Sequence, residues 1–457
     1  MMIVAKPGEH FSPHLRTGLG PSLAVPLRMR NTYVVFVTAL VLASPFLKAC
    51  SGSEGSDAEE DGSVPEGDAN ITTNPDGQVT GQADGGVNDA AQSDAVQPDA
   101  ASGMDGTVAV DAVVGNTTTV GVWQRMDPPV NLSAFGNEQY GFHSLAGSGS
   151  TIYVGTSYEG LWKTTNGGAT WTKTNTGTNG AMLNQGRLWQ TVAEPNNANV
   201  VYTTPGYGGG GLYKSTDGGV NWTQMLPKAI TDQTHVQPYS IDMDPANAQH
   251  LIVTTHQAWP GSQASGVIES SDGGNTWTIR APQSGWTFGG SPIARFVTST
   301  TWILSTESQG IWRTTNSGAT WTSVWNTGHV HGGTNLTHTA GAIYLGVRGS
   351  AIRSVDNGAT WTQVVPAGNG GVMDVGNDGT HLWAQRSGAQ RGAQSSSVAF
   401  YVSPINDGVN WTLQPGGQVF TNGPNNMYYD AANRTMWSSN WTEGVWRIRL
   451  AEKDAGN

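Results

Sequence analysis

The chain has 457 residues, of which only 12% are charged, while 62 are glycine and 18 are tryptophan. Ordinary globular proteins carry about 25% charged residues, so this composition excludes a coiled coil, a helical solenoid and a nucleic-acid-binding domain. The net charge of −12 arises in one segment, since residues 51–115 contain 14 acidic and no basic side chains. The turn-rich, tryptophan-rich remainder predicts an all-β fold.

The first 50 residues have the order of a secretory signal. A basic stretch over 28–30 precedes an apolar run over 33–46, which is too short for a transmembrane helix. The next residues, Leu47–Cys50, resemble the lipobox of bacterial lipoproteins, with lysine in place of the usual small residue at position 48. We therefore expect a signal peptide over 1–49, with Met29 as an alternative translation start.

Acyl chains on Cys50 would attach the protein to a membrane without spanning it. The resemblance to lipoproteins implies the outer membrane and the cell surface, because Ser51 stands where an aspartate would favour the inner membrane, and secretion is the alternative. Residues 50–116 contain no aromatic side chain and are rich in Asp, Gly and Ala, so we expect a disordered acidic tether. All tryptophans follow residue 116, which places the folded domain over 117–450 and a tail over 451–457.

A repeated turn predicts the architecture of that domain. Six segments fit the template (S/T)-x-(D/N)-x-G-x-(T/N)-W, the last in degenerate form: Thr164–Trp171, Ser215–Trp222, Ser270–Trp277, Thr314–Trp321, Ser354–Trp361 and Pro404–Trp411. Their tryptophans are 40 to 55 residues apart, a spacing typical of four-stranded propeller blades. The Asp or Asn side chain holds a tight turn, and glycine supplies the positive φ.

A second phrase, a small residue followed by two or three apolar ones, precedes each turn and occurs seven times, ending with Gly444–Arg447. In the first six blades, the tryptophan of the repeated turn begins an outer strand. The last copy of the second motif has no such strand after it, whereas Val120–Arg125 contains a tryptophan and resembles an outer strand with no blade before it. We predict a single seven-bladed β-propeller in which the N-terminal strand completes the seventh blade and so protects the sheet edges.

The repeated turn resembles the Asp-box, or BNR repeat, over about 119–450. Sialidases, family 74 xyloglucanases, sortilin-type receptors and photosystem assembly factors share it, so the resemblance implies the fold and leaves the function open. It also implies that the turns lie opposite the ligand face. That face is then built by the loop entering each innermost strand and by the loop between the second and third strands.

These loops contain aromatic and cationic side chains suited to a glycan. Aromatic rings stack on sugar faces, and arginines can clamp a carboxylated sugar. We expect exposed aromatic platforms in the loops and a substrate-binding set of Arg187, Trp189, Tyr207, Trp259, Arg348, Arg386 and Trp441.

Two kinds of catalysis remain open from the sequence. A glycosidase needs two carboxylates, about 5–5.5 Å apart for retention or about 6.5–9.5 Å for inversion, and the loops offer Glu159, Glu307 and Glu443. In the family 74 xyloglucanases that the repeat resembles, the first blade has a catalytic Asp, and Ser157 stands at the matching position of this sequence. A polysaccharide lyase needs a base beside a neutralised carboxylate, for which Arg187, His143, Tyr239 and His256 have suitable chemistry.

We expect no cofactor and no metal, since the histidines at 329 and 331 have no acidic or cysteine companion. The interpretation is a monomeric, lipid-anchored propeller that binds and degrades extracellular polysaccharide as a glycoside hydrolase or a polysaccharide lyase. The alternative is a non-catalytic propeller that binds carbohydrate or protein or assists assembly. We expect no nucleic-acid partner, and contact with the membrane only through the lipid.

Overall fold

The computed structural model describes residues 121–131, 141–208, 210–329, 335–365, 371–387, 399–414 and 423–451, with the side chains of 386, 387 and 399 excepted. The predicted signal peptide, Cys50, the tether, His331 and nearly all of the tail therefore lie outside the described residues. A 3-10 helix spans Gly180–Asn184 and a short helix α1 spans Lys228–Thr231. Within the described ranges no helix is long and apolar enough to cross a membrane.

The described strands form seven four-stranded antiparallel sheets, which confirms the predicted all-β seven-bladed propeller. Blades 1 and 2 contain β2–β5 (Phe142–Ser148, Thr151–Thr156, Leu161–Thr164, Thr172–Lys173) and β6–β9 (Arg187–Glu194, Asn197–Gly206, Tyr213–Ser215, Thr223–Gln224). Blades 3 and 4 contain β10–β13 (Pro238–Asp244, Asn247–Thr255, Val267–Ser270, Thr278–Arg280) and β14–β17 (Ile293–Phe296, Trp302–Ser305, Ile311–Thr314, Thr322–Trp325). Blades 5 and 6 contain β18–β21 (Leu336–Thr339, Ala342–Val347, Ser350–Ser354, Thr362–Gln363) and β22–β25 (Gly371–Asn377, His381–Ser387, Ala399–Pro404, Thr412–Leu413). Blade 7 contains β26–β28 (Asn426–Asp430, Thr435–Ser439, Val445–Arg449) and, as its outer strand, β1 (Trp123–Arg125).

The N-terminal strand closes the ring as predicted. Trp123 pairs with Ile448 in the register between β1 and β28. Its indole stacks on Phe400 of blade 6 with ring centroids 5.0 Å apart, and it lies edge-on to Trp383 at 6.5 Å. The chain just beyond β1 also contacts blade 1, because the Met126 carbonyl accepts a hydrogen bond from the Trp171 indole at 3.0 Å. Residues 123–126 thus join three blades.

The repeated turns are held by their own side chains. In the turn of blade 3, Ser270 Oγ accepts a hydrogen bond from the Gly274 amide at 2.8 Å, and Asp272 Oδ1 accepts one from the Thr276 amide at 2.9 Å. Gly273 and Gly274 have φ values of 71° and 90°, where a Cβ would be strained. The lower face is defined as the side of the propeller with these turns, and the upper face as the opposite side.

Polar side chains on and next to the innermost strands connect neighbouring blades, one interface after another. Most accept a hydrogen bond from a backbone amide of the next blade, which satisfies polar groups that the interior would otherwise leave unpaired. From the interface of blades 1 and 2 to that of blades 7 and 1, the pairs are Ser144–Thr191, Gln190–Ile241, Asp242–Phe296, His338–Phe296, Asn335–Asp374, Asp374–Met427 and Asn426–Leu145.

Arg295 extends from the innermost strand of blade 4 across the central channel. Its guanidinium donates to Gln190 Oε1 of blade 2 at 3.1 Å, and its side chain is only 2% exposed. Burial lowers the pKa of Arg295, while the nearby Asp242 of blade 3 and Asp374 of blade 6 raise it. These contacts with blades on several sides place the guanidinium near the channel axis.

Candidate functional site

Five predicted site residues meet at the upper ends of blades 2 and 3. We call Arg187, Trp189, Tyr207, Tyr239 and His256 the blade 2–3 cluster. The Trp189 indole stacks on the His256 ring at a centroid distance of 4.5 Å and lies edge-on to Tyr207 at 4.9 Å and to Tyr239 at 5.2 Å. The Arg187 guanidinium lies over the Tyr207 ring, 4.7 Å from its centroid, in cation–π geometry.

Glycines hold Tyr207 in place. Its φ of 64° lies in the left-handed region, which is rare for an aromatic residue and is found mainly where the surroundings enforce it. A Cβ at Gly206 would collide with the Trp189 ring, and one at Gly208 would collide with the Gln185 carbonyl. Positions 206 and 208, on either side of Tyr207, are therefore packed too closely for any residue except glycine.

Tyr207 is the member of the cluster that solvent reaches most. Its residue is 43% exposed, whereas Arg187, Trp189 and Tyr239 are 9%, 6% and 4% exposed. The Tyr207 hydroxyl lies 3.3 Å from His256 Nε2. With the imidazole proton on Nδ1, Nε2 accepts the phenol hydrogen, so the pair can pass a proton between them.

The expectation of exposed aromatic platforms is wrong for three of the four loop aromatics on which it rested. Trp189, Trp259 and Trp441 are buried and pack inside the protein. Trp259 donates its indole hydrogen to Thr255 Oγ1 at 2.9 Å and belongs to the core of blade 3. Trp441 packs edge-on to His143, with centroids 4.5 Å apart. A large indole stabilises a blade most when it is fully packed, and the sequence could not distinguish this from a role in binding.

The three candidate glutamates lie in blades 1, 4 and 7. Glu159 and Glu443 occupy equivalent loops, and the backbone carbonyl of each accepts the indole hydrogen of the tryptophan three residues later. The Glu159 carboxylate pairs with Lys173 at 3.2 Å, and that of Glu307 pairs with Arg348 at 3.6 Å. Among the described residues, the Glu159 and Glu307 carboxylates therefore each form an ion pair with a basic side chain.

The remaining predicted residues are spread round the ring. Arg348 also donates to the His329 carbonyl at 3.3 Å, and His329 Nδ1 lies 3.2 Å from Ser305 Oγ. The Arg386 side chain lies outside the described part of the chain. Among the described residues, no group of three His, Cys, Asp or Glu side chains has a metal-binding arrangement.

Sequence reasoning missed the charged residues inside the channel. Asp374 accepts hydrogen bonds from the amides of Met427 at 2.7 Å and Val375 at 2.9 Å, yet burial raises its pKa to about 7. It lines a cavity of about 310 Å³ between blades 5, 6 and 7, which contains none of the predicted site residues. The available signal was a charged residue in an otherwise apolar inner strand, at Asp374 and at Arg295.

The similarity of this chain to known proteins is structural. No family model matches it, and no curated protein is significantly similar in sequence. A GH74 xyloglucanase from Xanthomonas campestris has 16% identity and a TM-score of 0.52, over 73% of this chain and 54% of that one. A GH74 enzyme from Niastella koreensis has 19% identity and a TM-score of 0.51, over 69% and 53%. YCF48 from Cyanidioschyzon merolae has 14% identity and a TM-score of 0.48, over 72% and 98%.

This chain spans about half the length of the two GH74 enzymes. At such identities the likeness shows the fold alone, so the protein is placed in the class of seven-bladed β-propellers. Membership of the Asp-box superfamily stays a prediction, as does the role of each site residue.

Proposed function

We propose that this protein binds an extracellular polysaccharide containing uronic acid at the blade 2–3 cluster and cleaves it by β-elimination. The observation that carries the proposal is the contact of an exposed phenol, Tyr207, with both an imidazole and a guanidinium. Elimination needs a base beside a neutralised carboxylate, and these three groups supply that chemistry. Hydrolysis has less support, because it needs two carboxylates at close range, whereas Glu159 and Glu307 each pair with a cation.

The reaction assigns one role to each side chain. Arg187 binds the uronate carboxylate, which makes the hydrogen on the adjacent ring carbon more acidic. The Tyr207 oxygen removes that hydrogen after passing its own proton to His256 Nε2. The electron pair of the broken C–H bond forms the ring double bond, and the bond from the next carbon to the glycosidic oxygen breaks. His256 or Tyr207 returns a proton to that oxygen, so no water is consumed.

The same proposal includes the location of the protein. Its support is the sequence around Cys50 and the acidic, glycine-rich stretch over 51–115, which would hold the propeller away from a membrane surface. A cell-surface lipoprotein would meet polysaccharide outside the cell. Both features lie outside the described residues.

A non-catalytic glycan- or protein-binding propeller is the second candidate. The burial of Trp189, Trp259 and Trp441 favours it, because these rings cannot form the extended stacking floor of a substrate cleft. A site with one exposed ring, Tyr207, is sufficient for binding a single sugar residue.

One assay distinguishes the candidates. The purified protein is incubated with a panel of uronate and neutral polysaccharides, and both ultraviolet absorbance of unsaturated uronate and release of reducing ends are measured. Elimination produces both signals. Hydrolysis produces reducing ends alone, and a binding protein produces neither while still retaining the polysaccharide in a pull-down.

A further inference from the structure

Several buried polar atoms near the upper face have no hydrogen-bond partner among the described residues. They are Ser157 Oγ, Asn425 Oδ1, the Trp441 indole nitrogen and both polar atoms of the Gln385 amide. Ser157, Asn425 and Gln385 are 0% exposed, and Trp441 is 2% exposed. Buried polar groups are nearly always paired in proteins, so several unpaired ones in one region need an explanation.

These residues lie at the upper ends of three consecutive blades. Asn425 precedes β26 of blade 7 and donates its amide hydrogen to the His143 carbonyl of blade 1 at 2.5 Å. Trp441 forms an isolated bridge with Phe142 of blade 1. In β23 of blade 6, Gln385 shares a strand face with Trp383 because side chains alternate, and Trp383 packs against blade 7.

The region continues into the blade 2–3 cluster. Ser157, at the end of the second strand of blade 1, forms an isolated bridge with Arg187 at the start of blade 2. Backbone contacts therefore connect the unpaired groups of blade 7 to blade 1, and blade 1 to Arg187, whose side chain is proposed to bind a carboxylate.

We propose that Gln385, Asn425, Trp441 and Ser157 form a subsite for a neutral, hydroxyl-bearing sugar residue, beside the uronate site on which this proposal rests. The set has no charge and contains both donors and acceptors. A sugar hydroxyl both donates and accepts a hydrogen bond, and two neighbouring hydroxyls match the two polar atoms of a Gln amide. The ligand is then a polysaccharide in which uronate residues alternate with neutral ones.

Access to the subsite requires a movement of Trp441. The unpaired atoms are covered in this structure, and Trp441 has a φ of 52°, outside the region that a tryptophan prefers. Relaxation of this residue toward negative φ would displace its indole from beside His143 and open the upper face at blades 7 and 1.

The test uses the full-length protein and two probes. Oligosaccharides of polygalacturonate carry a carboxylate on every residue, whereas those of hyaluronan alternate a uronate with a neutral N-acetylhexosamine. Affinities are measured by calorimetry for the wild type, Gln385→Leu and Arg187→Met. We expect Gln385→Leu to weaken binding of the hyaluronan probe about tenfold and to leave the polygalacturonate probe unchanged, since it removes hydrogen bonds to the neutral residue.

Folding provides a matched control. The Gln385 side chain makes no hydrogen bond with the described residues, so Gln385→Leu should keep or raise the midpoint of thermal unfolding. Gln190 is equally a buried glutamine, but its side chain accepts hydrogen bonds from Ile241 and Arg295, so Gln190→Leu should lower the midpoint. This comparison separates a loss of binding from a loss of structure.

The outcomes for the two sites are read independently. If Gln385→Leu binds both probes like the wild type, or weakens both equally, the neutral subsite is wrong. If Arg187→Met binds both probes like the wild type, the proposed uronate site is wrong, whatever Gln385→Leu does. Failure of the wild type to bind either probe overturns both proposals.

Discussion

Tyr207 is the most exposed member of the blade 2–3 cluster, whereas Arg187 and Trp189, which both contact its ring, are buried. In the proposed elimination, Arg187 supplies charge, the imidazole of His256 supplies a proton acceptor, and the left-handed backbone fixes the direction of the phenol. Removing the hydroxyl alone therefore separates chemistry from binding.

We expect Tyr207→Phe to lower turnover of a uronate polysaccharide at least 100-fold, because general-base catalysis contributes about 10²–10⁴-fold. The affinity should change little, since the ring and its contact with Arg187 remain. Initial rates of double-bond formation and binding isotherms are the measurements. Glu159→Gln, Glu307→Gln and Glu443→Gln should stay active, and loss of turnover in one of them with Tyr207→Phe unaffected would favour hydrolysis.

The raised pKa of Asp374 predicts that the stability of the ring depends on pH. Burial raises its pKa to about 7, above the ordinary value of 3.8, although four hydrogen bonds to the carboxyl oppose the shift. The folded state therefore binds this proton more tightly than the unfolded state. The resulting stabilisation is complete below pH 3.8 and is lost as the pH rises through 7.

The wild type should consequently lose stability between pH 5 and 7, by at most about 1.4 kcal/mol per pH unit from this group. Asp374→Asn should show a smaller loss over the same interval, whatever its stability at one pH. Urea unfolding at several pH values measures both slopes. Identical slopes for the two proteins would contradict the assignment to Asp374.

The sequence placed the members of the blade 2–3 cluster in upper-face loops, which is wrong for Arg187, Trp189 and Tyr239 because they lie in β6 and β10, and it could not bring the members together. Arg187 and His256 are 69 positions apart, and only the radial arrangement of blades makes them neighbours. The sequence also could not predict burial, because it does not distinguish a tryptophan that faces solvent from one that faces the core, as at Trp189 and Trp259. Asp374 was missed because an acidic residue within an apolar strand has no local signature of the neighbours that pair with it.

The turns and strands, by contrast, follow from local rules. Each repeated turn satisfies its own backbone through a hydroxyl, a carboxylate or amide and a glycine at positive φ, so it forms wherever the template occurs. That self-sufficiency is why the turn positions predicted the blades. On the inner strands, by contrast, polar side chains such as Gln190, Asp242 and Asp374 are paired across blade interfaces.

In the turn of blade 3, hydrogen bonds from Thr276 hold the pKa of Asp272 at about 2, below its ordinary value of 3.8. This stabilisation is present above pH 3.8 and is lost as the pH falls through 2. Asp272→Ala should lower the midpoint of thermal unfolding at neutral pH while the folded fraction keeps its specific activity, since the turn is on the lower face. At pH 2 the difference from the wild type should shrink, and an unchanged difference would refute the role of the carboxylate.

At the scale of the molecule, ring closure depends on β1. Deletion of residues 117–127 would remove the outer strand of blade 7 and the contacts of Trp123 with Phe400 and Trp383. We expect it to destabilise the propeller by several kcal/mol, because it combines a bared sheet edge with the loss of a buried indole.

Deletion of residues 52–110 is the control and should leave the midpoint of thermal unfolding unchanged. Circular dichroism during heating compares both deletions with the wild type. Equal effects of the two deletions would show that β1 is dispensable for closure.

Arg295 also limits how a long polymer can approach. Because its guanidinium is hydrogen-bonded to Gln190 of blade 2 and is almost fully buried, a polysaccharide strand has no room to pass Arg295 within the ring. A polysaccharide bound at the upper face must lie across it, with both of its ends leaving over the rim. Under the proposed β-elimination, such a molecule would cleave within a very long strand without needing a free terminus, and its fragments would begin large and shorten gradually.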